Sequence, residues 1–170
     1  MLYFIFDTFS IERARSTIHK WIGEADLQSE TGWCPDHITL DETVLRLSDE
    51  QYRPYAVVYP ETYELLNMMF ESTTTRVFAD SFLTELPEKH GVGNVVFLAD
   101  GSHSLQDARH RYGFDFRYEG RGNRNSVKRV FRGIKRQAIC FSNCFSNAEV
   151  ETADDWARSF SFVWNRRIRT

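Results

Sequence analysis

Residues 95–99 read VVFLA, an unbroken apolar run closed by Asp100-Gly101. A strand with no polar position has no face to offer water, so this segment predicts a central strand covered on both sides. Helical patterns flank it. Residues 74–90 place Val77, Phe78, Phe82, Leu83 and Leu86 on one face, and residues 103–112 predict a short second helix. A buried strand between helices belongs to a sheet with helices packed against it.

The remaining elements fix the order. Residues 37–47 (HITLDETVLRL), 52–59 (YRPYAVVY) and 63–71 (YELLNMMFE) predict three successive strands. Pro54 argues for the edge or the beginning of the second, because proline cannot donate to a ladder. The short link Pro60-Glu61-Thr62 predicts a hairpin. Residues 114–118 (FDFRY) predict a further strand. Residues 124–138 predict a helix with Val127, Val130, Phe131 and Ile134 inward, and residues 150–168 a last helix carrying Trp156, Phe160, Val163 and Trp164. Before the strands, residues 10–26 predict a helix, and residues 28–36, with Gly32 and Pro35, a turn-rich linker. Three strands followed by alternating helices and strands is the RNase H-like order, an α/β fold with a mixed five-stranded sheet flanked by helices.

A chain of 170 residues makes one domain, or one with an appendage, at ~150 residues per domain. No apolar run reaches the ~18 residues of a membrane span. The opening MLYFIF is too short for a signal-peptide core and has no basic stretch before it. Cys34, Cys140 and Cys144 are too few for a disulfide scaffold, and an odd count suits a reducing compartment. The expectation is a cytoplasmic protein with no membrane association.

The net charge of −3 conceals a strong asymmetry. Residues 1–108 hold 7 basic and 18 acidic side chains, whereas the 28 residues 109–136 hold 10 basic and 2 acidic ones. Eight of those ten are arginines, whose planar fork suits phosphate oxygens. The segment is either a phosphate-contacting surface or a solvated helix face. An acidic remainder fits a protein that holds nucleic acid at one groove, or one that collects acids around a metal.

Two carboxylates fall at telling places. Asp41 lies inside the first strand, and a carboxylate there is costly without a partner or a site to face. Asp100 closes the buried strand, at the edge where open α/β sheets bind ligands. Two carboxylates from different strands can converge on Mg²⁺, which takes a few of them and completes its shell with water and phosphate. The plainer alternatives are an Asp41 that starts a turn or pairs with an arginine, and an Asp100-Gly101 that is simply a turn.

HITLDETV (37–44), VVFLADGSHSL (95–105), DFRYEGRGNRNSVKRVFRGIKR (115–136) and ETADDWARSFSFVWN (151–165) together resemble the DDE transposases of prokaryotic insertion sequences, of the type often called insertion-sequence family six. The matching blocks run in order from about residue 10 to residue 168. The resemblance implies an RNase H-like catalytic domain over 37–170. It also implies metal-dependent DNA cleavage and strand transfer, Mg²⁺ or Mn²⁺ as cofactor, DNA (element ends and target) as partner, and a homo-oligomer or a mixed oligomer with full-length transposase. Asp41 in LDET matches the first catalytic and metal-binding acid, and Asp100 in LADG the second. Arg121, Arg124, Arg129, Arg132, Lys135 and Arg136 would then contact phosphates.

Two departures from the family pattern shape the expectation. The third acid should be a glutamate on the helix after the last strand, in a pattern like N-x-x-E. Asn125-Ser126-Val127 leads instead to Lys128, and no acid lies between 120 and 148 to replace it. A lysine ~4 Å from a divalent ion would face ~8 kcal/mol of repulsion at an effective dielectric of 20. Weakened metal binding and impaired catalysis are expected. Gly133 also stands where the family often has an acid, at a helix-propensity cost of ~1 kcal/mol. At the front, the resemblance implies that residues 1–27 are a remnant of a helix-turn-helix DNA-binding region, with Arg13, Arg15 and Lys20 expected to be available to DNA. A non-catalytic DNA-binding or oligomerising remnant that modulates full-length transposases is the alternative, and an unrelated metal-dependent nuclease completing its site with Glu42 or Asp107 is a third reading.

Other motifs are thin. Gly120-x-Gly122 lacks the third glycine of a dinucleotide fingerprint. Cys140-x3-Cys144 has no second pair for zinc. The aromatic residues 156–164 suit a core or a dimer surface better than a base-stacking platform.

Overall fold

The computed structural model describes residues 20, 32–47, 50–71, 76–100, 113–119, 122–139 and 150–170. Six strand segments, β1 (His37–Glu42), β2 (Leu45–Leu47), β3 (Glu50–Tyr59), β4 (Glu64–Glu71), β5 (Val96–Ala99) and β6 (Asp115–Tyr118), form one sheet with three helices, α1 (Arg76–Lys89), α2 (Arg124–Ile139) and α3 (Val150–Ile168). The helices expected over 10–26 and 103–112 lie outside the described residues except for Lys20, which is helical and exposed. No described helix is long and apolar enough to cross a membrane.

β1 and β2 are one ladder with a gap. Glu42 pairs with Tyr55 and Leu45 with Tyr52 on β3, in a single unbroken antiparallel register. β4 flanks the other edge of β3. The six segments therefore fill five positions, β4-β3-β1/β2-β5-β6, antiparallel on one side of β1 and parallel on the other.

Pro54 lies inside β3, which is paired on both edges, and not at an edge or a beginning. Its carbonyl accepts from the Thr43 amide at 3.1 Å, but it has no N–H to return the bond. The missing donor falls opposite the gap between β1 and β2, so the strand expected over 37–47 breaks into two.

Period-two alternation divides the core. Ala56, Val58, Leu65, Met68 and Phe70 face α2 and α3, where they meet Val127, Val130, Phe131, Ile134, Trp156 and Phe160. Ile38, Leu40, Tyr55, Val57 and Leu66 face α1, where they meet Phe82, Leu83 and Leu86. A bulge in β4 between these sets shifts the β3–β4 register by one residue. It sends Leu66 and Asn67 to the same side, where Asn67 accepts from Lys89 and donates to Glu85. The Leu66 carbonyl pairs with Nε2 of buried His90 at 3.1 Å. Burial holds the His90 imidazole below its ordinary pKa.

α3 covers the edge of β4 that, among the described residues, pairs with no strand. The Asn165 amide accepts from the Leu65 N–H at 2.8 Å and donates to the Leu65 carbonyl at 3.0 Å, doing for one residue what another strand would do. Trp164 Nε1 donates to the Tyr63 carbonyl at 2.9 Å, and Arg169 pairs with buried Glu64 at 2.6 Å. Trp156 and Phe160 are buried, while Trp164 is half-buried and stacks on Phe160.

Gly133 gains a physical reason that propensity alone does not supply. A Cβ there would lie 2.8 Å from Trp164 Cζ3 and 3.4 Å from Cε3, so the glycine lets α2 and α3 approach across the aromatic stack. Gly133→Ala is expected to destabilise the domain by about 1–2 kcal/mol in urea denaturation, because overpacking outweighs the gain in helix propensity of ~1 kcal/mol.

Candidate active site

β1 and β5 run parallel, with His37 opposite Val96 and Thr39 opposite Leu98. Carrying that register two residues further places Asp100 opposite Asp41. Side chains of opposed residues in adjacent parallel strands share a face, so two carboxylates sit side by side at the C-terminal end of the two central strands. It is the face covered by α2, since Asp41 follows Thr39 by two residues and Thr39 lies against the start of that helix.

The loop into α2 is built around Gly122. Its φ of +84° belongs to the left-handed region, and a Cβ there would meet Glu119 Oε1 at 2.8 Å. The same Glu119 oxygen accepts from the Asn123 amide at 2.7 Å, placing a carboxylate at the positive end of the helix. Glu119 is itself tied to the sheet, its amide donating to the Ala99 carbonyl at 3.1 Å. Ser126 Oγ donates to the Asn123 carbonyl at 2.6 Å and lies 3.4 Å from the Thr39 hydroxyl. These bonds fix the first turn of α2 directly over the ends of β1 and β5.

Arg124, the first residue of α2, projects into the acid pair. A single nitrogen, Nη2, donates to Asp41 Oδ2 at 2.7 Å and to Asp100 Oδ2 at 3.1 Å. Arg124 and Asp41 are almost wholly buried, whereas the Asp100 side chain is 39% exposed. Burial pushes the Asp41 carboxyl upward; the hydrogen bond and charge of Arg124 draw it back, and the charge of Asp100 opposes them, leaving it above its ordinary value. The Arg124 Nε is buried with no acceptor.

Of the residues named from sequence, Asp41 and Asp100 come together. Arg124 joins them as a buried ion-pair partner and does not lie on the exposed face of α2 where a phosphate contact would sit, because its position at the helix start directs it back onto the strand ends. Lys128 follows one turn later and is exposed. Arg129, Arg132, Lys135 and Arg136 are exposed along the same helix, Arg129 with its guanidinium 4.8 Å from the Tyr63 ring centroid. Arg13, Arg15 and Arg121 lie outside the described residues. The central place of Arg124 had a signal in the sequence: if residue 128 belongs near the two acids, so does residue 124, four positions earlier on the same helical face. Glu119 as the helix-start carboxylate carried no such signal.

Two converging carboxylate oxygens are a donor set that a divalent cation accepts. The arrangement as it stands does not suit one, because a guanidinium nitrogen lies between the oxygens. A separate group, Asp36, His37 and Glu61, gathers its ligand atoms within 4.8 Å of one another at the opposite end of β1.

No family model matches the chain, and no curated protein sequence is similar to it. Solved structures are. The catalytic core domain of BIV integrase matches with a TM-score of 0.52 and 12% identity over 76% of this chain and 82% of that one. The HTLV-2 integrase catalytic core domain, solved in complex with magnesium in a dimeric form, matches with a TM-score of 0.54 and 14% identity over 73% and 84%. A simian T-cell lymphotropic virus intasome in complex with a PP2A regulatory subunit matches with a TM-score of 0.55 and 16% identity over 76% and 49%.

The fold is the RNase H-like fold of integrase catalytic cores. Its five strand positions and flanking helices are those expected from the order of elements in the sequence.

The asymmetry in exposure of the two acids has a measurable consequence. Asp41→Ala is expected to cost about 3 kcal/mol, because it strips the buried partner from Arg124. Asp100→Ala is expected to cost about 1 kcal/mol or less, since its side chain is 39% exposed, far more than that of Asp41, and its loss also relieves Asp41 of a like charge. Urea denaturation at neutral pH measures both.

Proposed function

We propose that the chain is a DDE-type transposase of the insertion-sequence kind, with an RNase H-like catalytic domain over 37–170, whose own catalysis is impaired. The observation that carries this reading is the convergence of Asp41 and Asp100 on one nitrogen at 2.7 and 3.1 Å, on adjacent central strands beneath the start of α2. The likeness in fold to integrase cores, together with the LDET, LADG and NSVKRVF segments, supports it. In the intact chemistry Asp41, Asp100 and a glutamate at position 128 would hold Mg²⁺ or Mn²⁺, and a pair of such ions would supply the charge stabilisation that phosphodiester cleavage needs. Here position 128 is Lys128, and it adds a positive charge where a ligand is needed.

The polynucleotide partner would lie along α2. Lys128, Arg129, Arg132, Lys135 and Arg136 are exposed on one side of this helix, and Val127, Val130, Phe131 and Ile134 are buried on the other. A row of cations leading away from the acid pair suits a DNA backbone crossing the site. The same observation favours a second reading, a chain that binds DNA and joins an assembly of full-length transposases without cutting. In that case it would act as an inhibitory subunit.

Two experiments test these readings. Plasmid nicking in Mn²⁺ compares the native chain, Lys128→Glu, and Lys128→Glu with Asp41→Asn. Only the single variant is expected to nick; nicking by the native chain at the same rate would overturn the claim of impaired catalysis. DNA affinity measured across a salt series is expected to fall steeply for the native chain, with Arg132→Ala making the log–log slope shallower by ~1. A salt-independent affinity would remove α2 from the interface.

A further inference from the structure

We infer that Arg124 is the resident cation of the acid pair, and that a divalent ion can enter between Asp41 and Asp100 only by displacing it. The inference rests on the reading of these two acids as a DDE-type pair, but not on any reaction they perform.

Three observations carry it. The first is the shared nitrogen. Arginine ordinarily meets a carboxylate with two parallel N–H donors. Here Nη2 alone serves two carboxylates on different strands, at 2.7 and 3.1 Å, as a single positive centre between two negative ones. The second is the unsatisfied Nε, buried without an acceptor. The pocket does not complete the hydrogen bonding of a guanidinium, so what holds Arg124 there is its charge and not its fork. The third is the origin of the side chain. Arg124 leaves the first turn of α2, which Glu119, Gly122 and Ser126 hold in place, so the cation is supplied by a fixed element.

The two acids need a positive charge between them whether or not a metal is present, because opposed like charges on adjacent strands repel. Arg124 meets that need permanently. A divalent ion must therefore compete with a tethered cation that never diffuses away, and Lys128 adds to the opposing field. A carboxylate at position 128 would shift the competition by removing one cation and supplying a third ligand, which is compatible with nicking by Lys128→Glu while Arg124 remains.

The experiment titrates MnCl₂ into the folded chain without DNA. Free Mn²⁺ is read by its paramagnetic resonance signal, and its location by broadening of the Glu42 amide, whose N–H donates to Asp41 Oδ1. The native chain is expected to leave the Glu42 amide sharp at millimolar Mn²⁺; broadening confined to His37 would report the Asp36 group and is compatible with the inference. Arg124→Gln is expected to bind Mn²⁺ about tenfold more tightly or better and to broaden Glu42, with the gain lost when Asp41→Asn is added. Broadening of Glu42 in the native chain, or a folded Arg124→Gln with no gain in Mn²⁺ affinity, would overturn the inference. If Arg124→Gln does not fold, the native Glu42 amide decides. Gain of binding in Arg124→Gln with no nicking by Lys128→Glu combined with Arg124→Gln would leave the inference standing and remove the transposase reading.

Discussion

Two carboxylates side by side on adjacent parallel strands repel each other, and the rest of this end of the molecule is arranged around that repulsion. Parallel pairing of β1 with β5 makes the juxtaposition unavoidable once aspartate stands at both 41 and 100. A cation must lie between them, and it must be held there against the desolvation of Asp41 and of its own guanidinium. The start of α2 meets both conditions by delivering Arg124 from above. The Gly122 turn, the Glu119 carboxylate at the helix start and the Thr39–Ser126 contact all fix where that first turn sits. The ion-pair geometry is in this sense an outcome of sheet register, transmitted through one loop.

α2 has two separate tasks. Its inner face fills the core against β3, β4 and α3, and its outer face carries the cations. Arg124 sits at the boundary between these faces, at the one end where the helix overhangs the strand ends. A 16-residue amphipathic helix is well suited to such a double role, because its apolar stripe fixes its rotation and so decides which basic residues face outward.

Most of the fold was legible in the sequence because its signals are local. The apolar run at 95–99, the alternation in 37–47 and 52–59, and the 3.6-residue pattern of 124–138 each predict their own element. Pro54 misled because its local meaning, a missing donor, was correct while its consequence depended on the neighbouring strand, where the gap between β1 and β2 absorbs the loss. The acid pair was legible from Asp41 standing inside an apolar strand and Asp100 closing the buried one. An arginine partner for Asp41 was among the alternatives and is what forms, but Arg124 was not singled out, because despite its four-residue spacing from position 128 it looked like one more member of a basic run. Burial separates it from Arg129, Arg132, Lys135 and Arg136, and burial is a property of the assembled sheet. Gly133 likewise reads as a weak helical residue until the rings of α3 are placed against it.

The Asn165 clamp bears on how this chain behaves when shortened. Among the described residues β4 pairs on one side only, with β3, and its other side would present open backbone groups to any passing strand. The side-chain amide of Asn165 occupies the Leu65 donor and acceptor together, and the Trp164 indole takes the neighbouring Tyr63 carbonyl. The last helix is thus a cover over a sticky seam as well as a part of the core. A chain ending before these residues would keep both faces of its sheet and lose the seal on its rim, and its molecules would tend to add to one another strand by strand.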